Sequence, residues 1–151
     1  MPTPTPQPSL STLPEAIAAE MPIVRDQLAE LVAIPTVADP AQFSPEEGRR
    51  GAAWVAAAFR AAGIPDARAV APLAGPQAVI GLRPGPEGAP TVLLDSHYDV
   101  QPPLDEAAWH TPPFTLTTGD DGRWYGRGAA DCKGNVVAHL AALRVLGALY
   151  G

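Results

Sequence analysis

The stretch 91–100, TVLLDSHYDV, joins a short apolar run to one histidine and two aspartates. Its consecutive apolar residues are typical of a strand that is covered on both faces inside an α/β sheet. Polar side chains just beyond the carboxyl end of such a strand face the crevice where open α/β sheets bind ligands. The stretch therefore predicts a central strand over residues 91–95 that carries His97 and Asp99 to a binding site.

Three helices are predicted from the spacing of apolar residues and from helix-end signals. Apolar residues recur at steps of three and four over residues 13–33 and 134–150, and Pro22 marks either a kink or the true start of the first helix. Ser44 as the N-cap, followed by proline and two glutamates, predicts a helix over residues 45–62.

Short apolar runs separated by Pro and Gly predict the remaining strands. Residues 67–71 and 77–82 are expected to be strands, and residues 115–127 a hairpin that turns at 119–122. Helices and strands in this order indicate an α/β sandwich.

Composition bounds the class of protein and its partners. The 151 residues are 46% hydrophobic and 17% charged, which is typical of a globular chain. Because 10 basic residues stand against 16 acidic ones, giving a net charge of −6, and no basic cluster is present, nucleic acid is not an expected partner. The absence of a signal peptide and of an apolar run of roughly 20 residues argues against a membrane location. Cys132 is the only cysteine, so no intrachain disulfide forms and a cytoplasmic location is predicted.

The N-terminal segment, residues 1–12, alternates Pro with Thr, Gln and Ser and offers little to bury. We predict a disordered tail there, followed by the folded part at 13–151.

Two polar clusters carry the chemistry. His97 and Asp99 stand two residues apart, and a carboxylate that accepts one imidazole N–H is the usual device for orienting a metal-binding histidine. An isolated His-x-Asp more often only caps backbone groups, but a second cluster, YGRGAADCKGN at 125–135, favours the metal interpretation. There Asp131 either bridges two cations or caps the final helix. The glycines lack the spacing of a phosphate-binding loop, which argues against nucleotide binding.

These motifs resemble a known family. LLDSHYDVQPP at 93–103, the PPF at 112–114 and DGRWYGRGAADCKG at 121–134 are similar to the N-terminal half of the catalytic domain of the co-catalytic zinc peptidases. That family includes carboxypeptidase G, acetylornithine deacetylase, succinyl-diaminopimelate desuccinylase and the carnosinase-like dipeptidases, and HYDVQPP looks most like the dipeptidase branch.

The resemblance implies a fold and a metal centre. The fold would be part of an α/β/α sandwich of the zinc aminopeptidase and carboxypeptidase type. His97 would ligate one metal ion, Asp131 would bridge two, and Asp99 would act in catalysis by orienting and polarising His97. The two ions would be zinc, with cobalt or manganese also suited to oxygen and nitrogen donors. A metal-activated water would cleave a small peptide or N-acyl amino acid, and the full-length form would be a homodimer.

The chain departs from the family pattern after the last helix. The family has a Glu-Glu pair on a following strand, which supplies the general base and a metal ligand, and this sequence has no Glu after Glu106. His110 and His139 are not expected to replace the missing ligands. Residues 13–151 are therefore expected to be the N-terminal portion of a catalytic domain, inactive alone. The alternative is a non-catalytic truncated product that acts as a weak metal binder or an interaction module.

Neighbouring residues have simpler interpretations. Cys132 is expected to be a small packing residue, with metal binding as the minority alternative, and Lys133 a solvated charge. Four aromatic residues are expected to fill the core more than to floor a pocket, namely Trp109, Phe114, Trp124 and Tyr125. The last helix is apolar around most of its circumference and predicts an association surface when the chain is alone.

Overall fold

Three helices form the frame of the structure, a computed structural model that describes residues 10–71 and 76–151. A 3-10 turn at Leu10–Thr12 leads into α1, Leu13–Val32; α2 spans Pro45–Ala61 and α3 spans Lys133–Tyr150. The predicted helices are confirmed to within one residue at each end, although α1 runs through Pro22 and does not begin there. Of the predicted tail, residues 1–9 lie outside the described residues. No helix in the described part of the chain is both long and apolar enough to cross a membrane.

Two small antiparallel sheets accompany the helices. β1, Arg68–Val70, pairs with β2, Ala78–Ile80, and β3, Thr117–Thr118, pairs with β4, Trp124–Tyr125. The two predicted strands and the predicted hairpin are thus confirmed in place, with shorter bounds. Helices and strands together make an incomplete α/β fold, as the sequence predicted.

The strand predicted over residues 91–95 does not form, and this prediction is wrong. Val92 and Leu93 are 75% and 85% exposed, so neither face of the run is covered. A strand is held by hydrogen bonds to a neighbouring strand, and among the described residues none pairs with this run. One parallel bridge, between Val37 and Val100, forms beyond it.

The core lies mainly between α1 and α3, with α2 packed on its side. Its buried members from the three helices are Leu28, Leu31, Val32, Val55, Val136, Val137 and Leu140. Gly51 lets α2 approach closely, since an added Cβ would lie 2.5 Å from the Thr36 methyl group and 3.1 Å from the Tyr98 ring. On α3, Leu146 is the exposed large apolar side chain among the described residues, at 48%. The association surface predicted for α3 is therefore small, and more apolar surface is exposed at 92–94.

Lys133, the only lysine of the chain, is fully buried at the start of α3, and its prediction as a solvated charge is wrong. Its Nζ donates to the backbone oxygens of Leu31 at 2.9 Å and Ile34 at 2.6 Å. These carbonyls lie at the C-terminal end of α1, where the helix dipole favours a cation. Burial lowers the pKa of Lys133 to about 8, and the nearby Asp99 carboxylate partly opposes this shift.

Two leucines on α3 offer a matched test of this core. We expect Leu140→Ala to lower the free energy of unfolding by about 2–5 kcal/mol, because it removes a fully buried side chain and leaves a cavity. The control, Leu146→Ala, makes the same change on the half-exposed side of the same helix and should cost much less. Urea denaturation of both variants measures the difference, and equal losses would contradict the packing of α3 described above.

Candidate metal centre

His97 lies between two carboxylates. Its Nδ1 is 3.0 Å from the backbone oxygen of Asp99 and 3.2 Å from Asp99 Oδ1, and its Nε2 is 3.2 Å from Asp131 Oδ1. A neutral imidazole carries one N–H, and Asp99 supplies two acceptors on the Nδ1 side. With the proton on Nδ1, the Nε2 lone pair faces the Asp131 carboxylate. An imidazole lone pair and a carboxylate oxygen that face each other form a natural cation site.

The charges around His97 favour a cation. Partial burial lowers the pKa of His97, but the hydrogen bond to the Asp99 backbone and the negative charges of Asp99 and Asp131 more than offset it, so the pKa is raised overall. The imidazole is about half exposed, which leaves it open to ions from solvent. The negative charges that favour a second proton on the ring would also favour a metal ion at Nε2.

The segment that carries His97 and Asp99 is fastened to the residues after α1. The Thr36 hydroxyl donates to the Tyr98 backbone oxygen at 2.5 Å, and the Val100 amide donates to the Thr36 backbone oxygen at 3.0 Å. Sequence reasoning did not identify Thr36, because a lone buried threonine has no distinguishing pattern.

The loop that carries Asp131 makes a tight turn before α3. The Lys133 amide donates to the Gly128 backbone oxygen at 2.9 Å. Gly128 has φ of +85°, and a Cβ there would lie 2.8 Å from Val100 Cγ1. Only glycine fits this left-handed position against the neighbouring segment. The loop and the segment that carries His97 therefore touch at Gly128.

Asp131 does not cap α3. The residue at the N-cap position is Cys132, which makes no side-chain capping bond, and the Asp131 carboxylate instead reaches His97. Asp131 is also 89% exposed, so an ion can reach it. Of the two roles left open by the sequence, the geometry favours the one that faces a cation.

Cys132 joins these two residues. Ligand atoms of His97, Asp131 and Cys132 all lie within 4.8 Å of one another. Metal bonds of about 2.0–2.3 Å allow one zinc ion to contact all three after small side-chain movements. The Cys132 sulfur also accepts a hydrogen bond from Asn135 Nδ2 at 2.9 Å. The donor chemistry thus fits one divalent ion, and no second group of three His, Cys, Asp or Glu occurs in the part of the chain that the structure describes.

The four aromatic residues lie in different surroundings. The Trp109 ring lies 4.9 Å from the Arg127 guanidinium, and Phe114 meets Phe43 edge to face at 5.7 Å. Trp124 packs against the core, while Tyr125 is 44% exposed and donates to Asp121. His110 and His139 stand outside the metal-binding group. The expectation that these aromatic residues fill the core is therefore confirmed for Trp124 and wrong for the exposed Tyr125.

The chain is similar to known proteins over the segment that contains His97, Asp99 and Asp131. Residues 93–150 match the model of Peptidase family M20/M25/M40. The predicted resemblance to this family is confirmed. The cysteinylglycine-S-conjugate dipeptidase of Corynebacterium striatum is 56% identical over 68 residues, which cover 45% of this chain and 15% of that protein.

Solved structures extend the likeness over nearly the whole chain. The dipeptidase Dug1p of Saccharomyces cerevisiae superposes with a TM-score of 0.82 at 24% identity, covering 93% of this chain and 31% of that one. Human carnosine dipeptidase 1 superposes with a TM-score of 0.78 at 28% identity, covering 95% and 32%. The chain thus spans about a third of the length of these solved structures and has the fold of that part. The activity of a whole protein is a matter for proposal.

Metal titration tests the group. We expect the 151-residue chain to bind one cobalt or zinc ion weakly, because the described residues supply only three close donors. His97→Ala and Asp131→Ala should each abolish this binding, whereas His110→Ala, which removes an exposed histidine outside the group, should leave it unchanged. Isothermal titration calorimetry measures both, and two tight sites in the unmodified chain would contradict the expectation.

Proposed function

We propose that residues 13–151 are the N-terminal portion of the catalytic domain of a dinuclear zinc hydrolase that cleaves the peptide bond of a dipeptide or a related amide. The observation that supports this most is His97, whose Nδ1 is bonded to Asp99 and whose Nε2 faces Asp131. This arrangement lies inside the segment that matches the M20/M25/M40 peptidases. The names of the similar proteins, which are dipeptidases, support a small peptide or N-acyl amino acid as the substrate.

Asp99, His97 and Asp131 have distinct roles in the proposed reaction. The carboxylate and the backbone oxygen of Asp99 accept hydrogen bonds from the Nδ1–H of His97, which fixes the ring orientation and the tautomer. His97 Nε2 and Asp131 would hold the ions, with Asp131 shared between them. When bound, the ions supply Lewis-acid activation of a water molecule and of the scissile carbonyl. The exposure of Asp131 leaves room for the substrate to approach.

The proposed reaction also needs a general base. A water that attacks a peptide bond needs a group to collect its proton, usually a carboxylate. The 151-residue sequence has no Glu after Glu106, and Glu106 itself begins an exposed 3-10 turn, Glu106–Ala108. We therefore propose that the base and the remaining ligands are supplied in the longer protein, and that the 151-residue chain alone does not hydrolyse peptides.

A second candidate function is metal binding without catalysis. Three donor atoms within 4.8 Å and a largely exposed Asp131 suit a weak, accessible site for one ion. The two candidates differ in one measurement on the full-length protein: the hydrolase releases amino acids from dipeptides in the presence of zinc or cobalt, and the simple binder does not. The cytoplasmic location and the homodimer predicted from the sequence stay predictions.

Substitutions of Asp99 and Asp131 distinguish a residue that orients His97 from a residue that binds the metal directly. In the full-length protein, Asp99→Asn should lower turnover and metal affinity by about 10- to 100-fold, as is typical when the partner of a metal-binding histidine is lost. The lower end is expected, because the Asp99 backbone oxygen still accepts from Nδ1. Asp131→Asn should do much more damage, since it removes the charge of a shared ligand.

The comparison requires metal affinity and dipeptide turnover to be measured for each variant. Asp121→Asn is a suitable control, because Asp121 is an exposed aspartate that bonds Tyr125 in the β3–β4 hairpin. Equal losses for Asp99→Asn and Asp131→Asn would contradict the division of roles.

A further inference from the structure

Two polar side chains are buried among the described residues, Thr36 at 1% exposure and Lys133 at 0%. Burying a polar group is unfavourable unless its hydrogen bonds are made, and burying a charge is more so. Both residues connect the chain that follows α1 to a segment that carries a proposed metal ligand. Their shared placement requires an explanation beyond packing, because an apolar residue would fill the same volume at lower cost.

Lys133 connects the Asp131 loop to the end of α1. Its Nζ bonds the backbone oxygens of Leu31 and Ile34, and its own amide bonds Gly128 at the other end of the loop. The side-chain stem passes close under Gly128, where an added Cβ would lie 3.0 Å from Lys133 Cδ. The lysine thus holds the loop from both its backbone and its side chain.

Thr36 connects the His97 segment to the same stretch of chain. Its hydroxyl and its backbone oxygen bond the residues on either side of Asp99, namely Tyr98 and Val100. The stretch from Leu31 to Val37 is therefore a common support for both metal-ligand segments.

Asp131 depends on this support. Its carboxylate is 89% exposed, and in the described part of the chain its close polar contact is with His97 Nε2, at 3.2 Å. An exposed side chain with a single weak contact takes its position from the backbone that carries it. Two residues after Asp131, Lys133 bonds that backbone to the end of α1. The 3.2 Å separation of His97 Nε2 from Asp131 Oδ1 thus depends on the position of the loop backbone.

We propose that Lys133, together with Thr36, is a positioning residue of the metal centre: the two fasten the Asp131 loop and the His97 segment to one support and so set the separation of the ligands. This inference rests on the proposed metal centre and extends it to residues that touch neither metal nor substrate. Lys133 acts through the loop, and Thr36 acts through the segment of His97.

Cobalt binding to the full-length protein tests the proposal, because its visible spectrum reports ligand geometry. Lys133→Met keeps the length of the side chain but removes the donor, and should weaken cobalt affinity by about 10- to 100-fold, the range for lost outer partners of a metal site. Thr36→Val keeps the shape and removes only the hydroxyl, and should act in the same direction near the lower end of that range. Both should change the cobalt spectrum.

Val137→Ala is the matched control for stability. Val137 lies one turn after Lys133 on α3 and is fully buried. Its side chain is apolar and so cannot hydrogen-bond to either metal-ligand segment. It should lower the urea midpoint while leaving cobalt affinity and spectrum at the values of the unmodified protein. If Lys133→Met does not fold, Lys133→Gln, which keeps a shorter neutral donor, is measured in its place with the same expected loss.

The outcomes distinguish a failure of the positioning role from a failure of the proposed metal centre. Unchanged affinity and spectrum in Lys133→Met and Thr36→Val would overturn the positioning role. The same holds if Val137→Ala loses as much affinity as Lys133→Met, since the loss then follows stability. If the unmodified protein does not bind cobalt, or if His97→Ala binds it equally well, the proposed metal centre fails and the positioning role fails with it.

Discussion

The buried ammonium group of Lys133 is the constraint on which the rest of the arrangement depends. A charge without water must be surrounded by hydrogen-bond acceptors, and here the carbonyls at the end of α1 supply them. Satisfying that single group fixes where α3 begins relative to where α1 ends. The apolar faces of the two helices then pack from that point onward, and the loop before α3 is held beside the segment that carries His97.

The proposed metal centre is a consequence of this support. His97 and Asp131 are 34 residues apart in sequence, yet their side chains meet at 3.2 Å. Neither lies within a helix or strand, so their positions come from the loops on which they stand. A metal site requires ligands that are held in place by rigid neighbours, because a ligand displaced by about half an ångström binds the metal poorly. Thr36 and Lys133 provide such supports from within the core.

The apolar run at 92–94, unlike the metal-ligand segments, lacks a supporting neighbour among the described residues. Its residues are as apolar as those of a central strand, but Val92 and Leu93 remain largely exposed because the described residues offer them no partner strand. The same run leads directly to His97. An α/β sheet covers such a strand on both faces and also places its carboxyl end at the site. The apolar run without a partner strand and the proposed metal ligand His97 are thus neighbours in the chain.

The sequence by itself determined the three helices, the two strands β1 and β2 and the β3–β4 hairpin, because each depends on residues close together in the chain. Helix periodicity, caps and turn residues act locally. Lys133 was recoverable in principle, since it falls on the apolar stripe of α3 with Val136, Val137 and Leu140, but a charge on such a stripe is normally taken as solvated. Only the tertiary structure decided that it is buried, that Cys132 and Asp131 share a cluster with His97, and that residues 91–95 stay unpaired. Each of these depends on contacts between segments that are distant in the sequence. Burial, long-range hydrogen bonding and strand pairing arise only from such contacts.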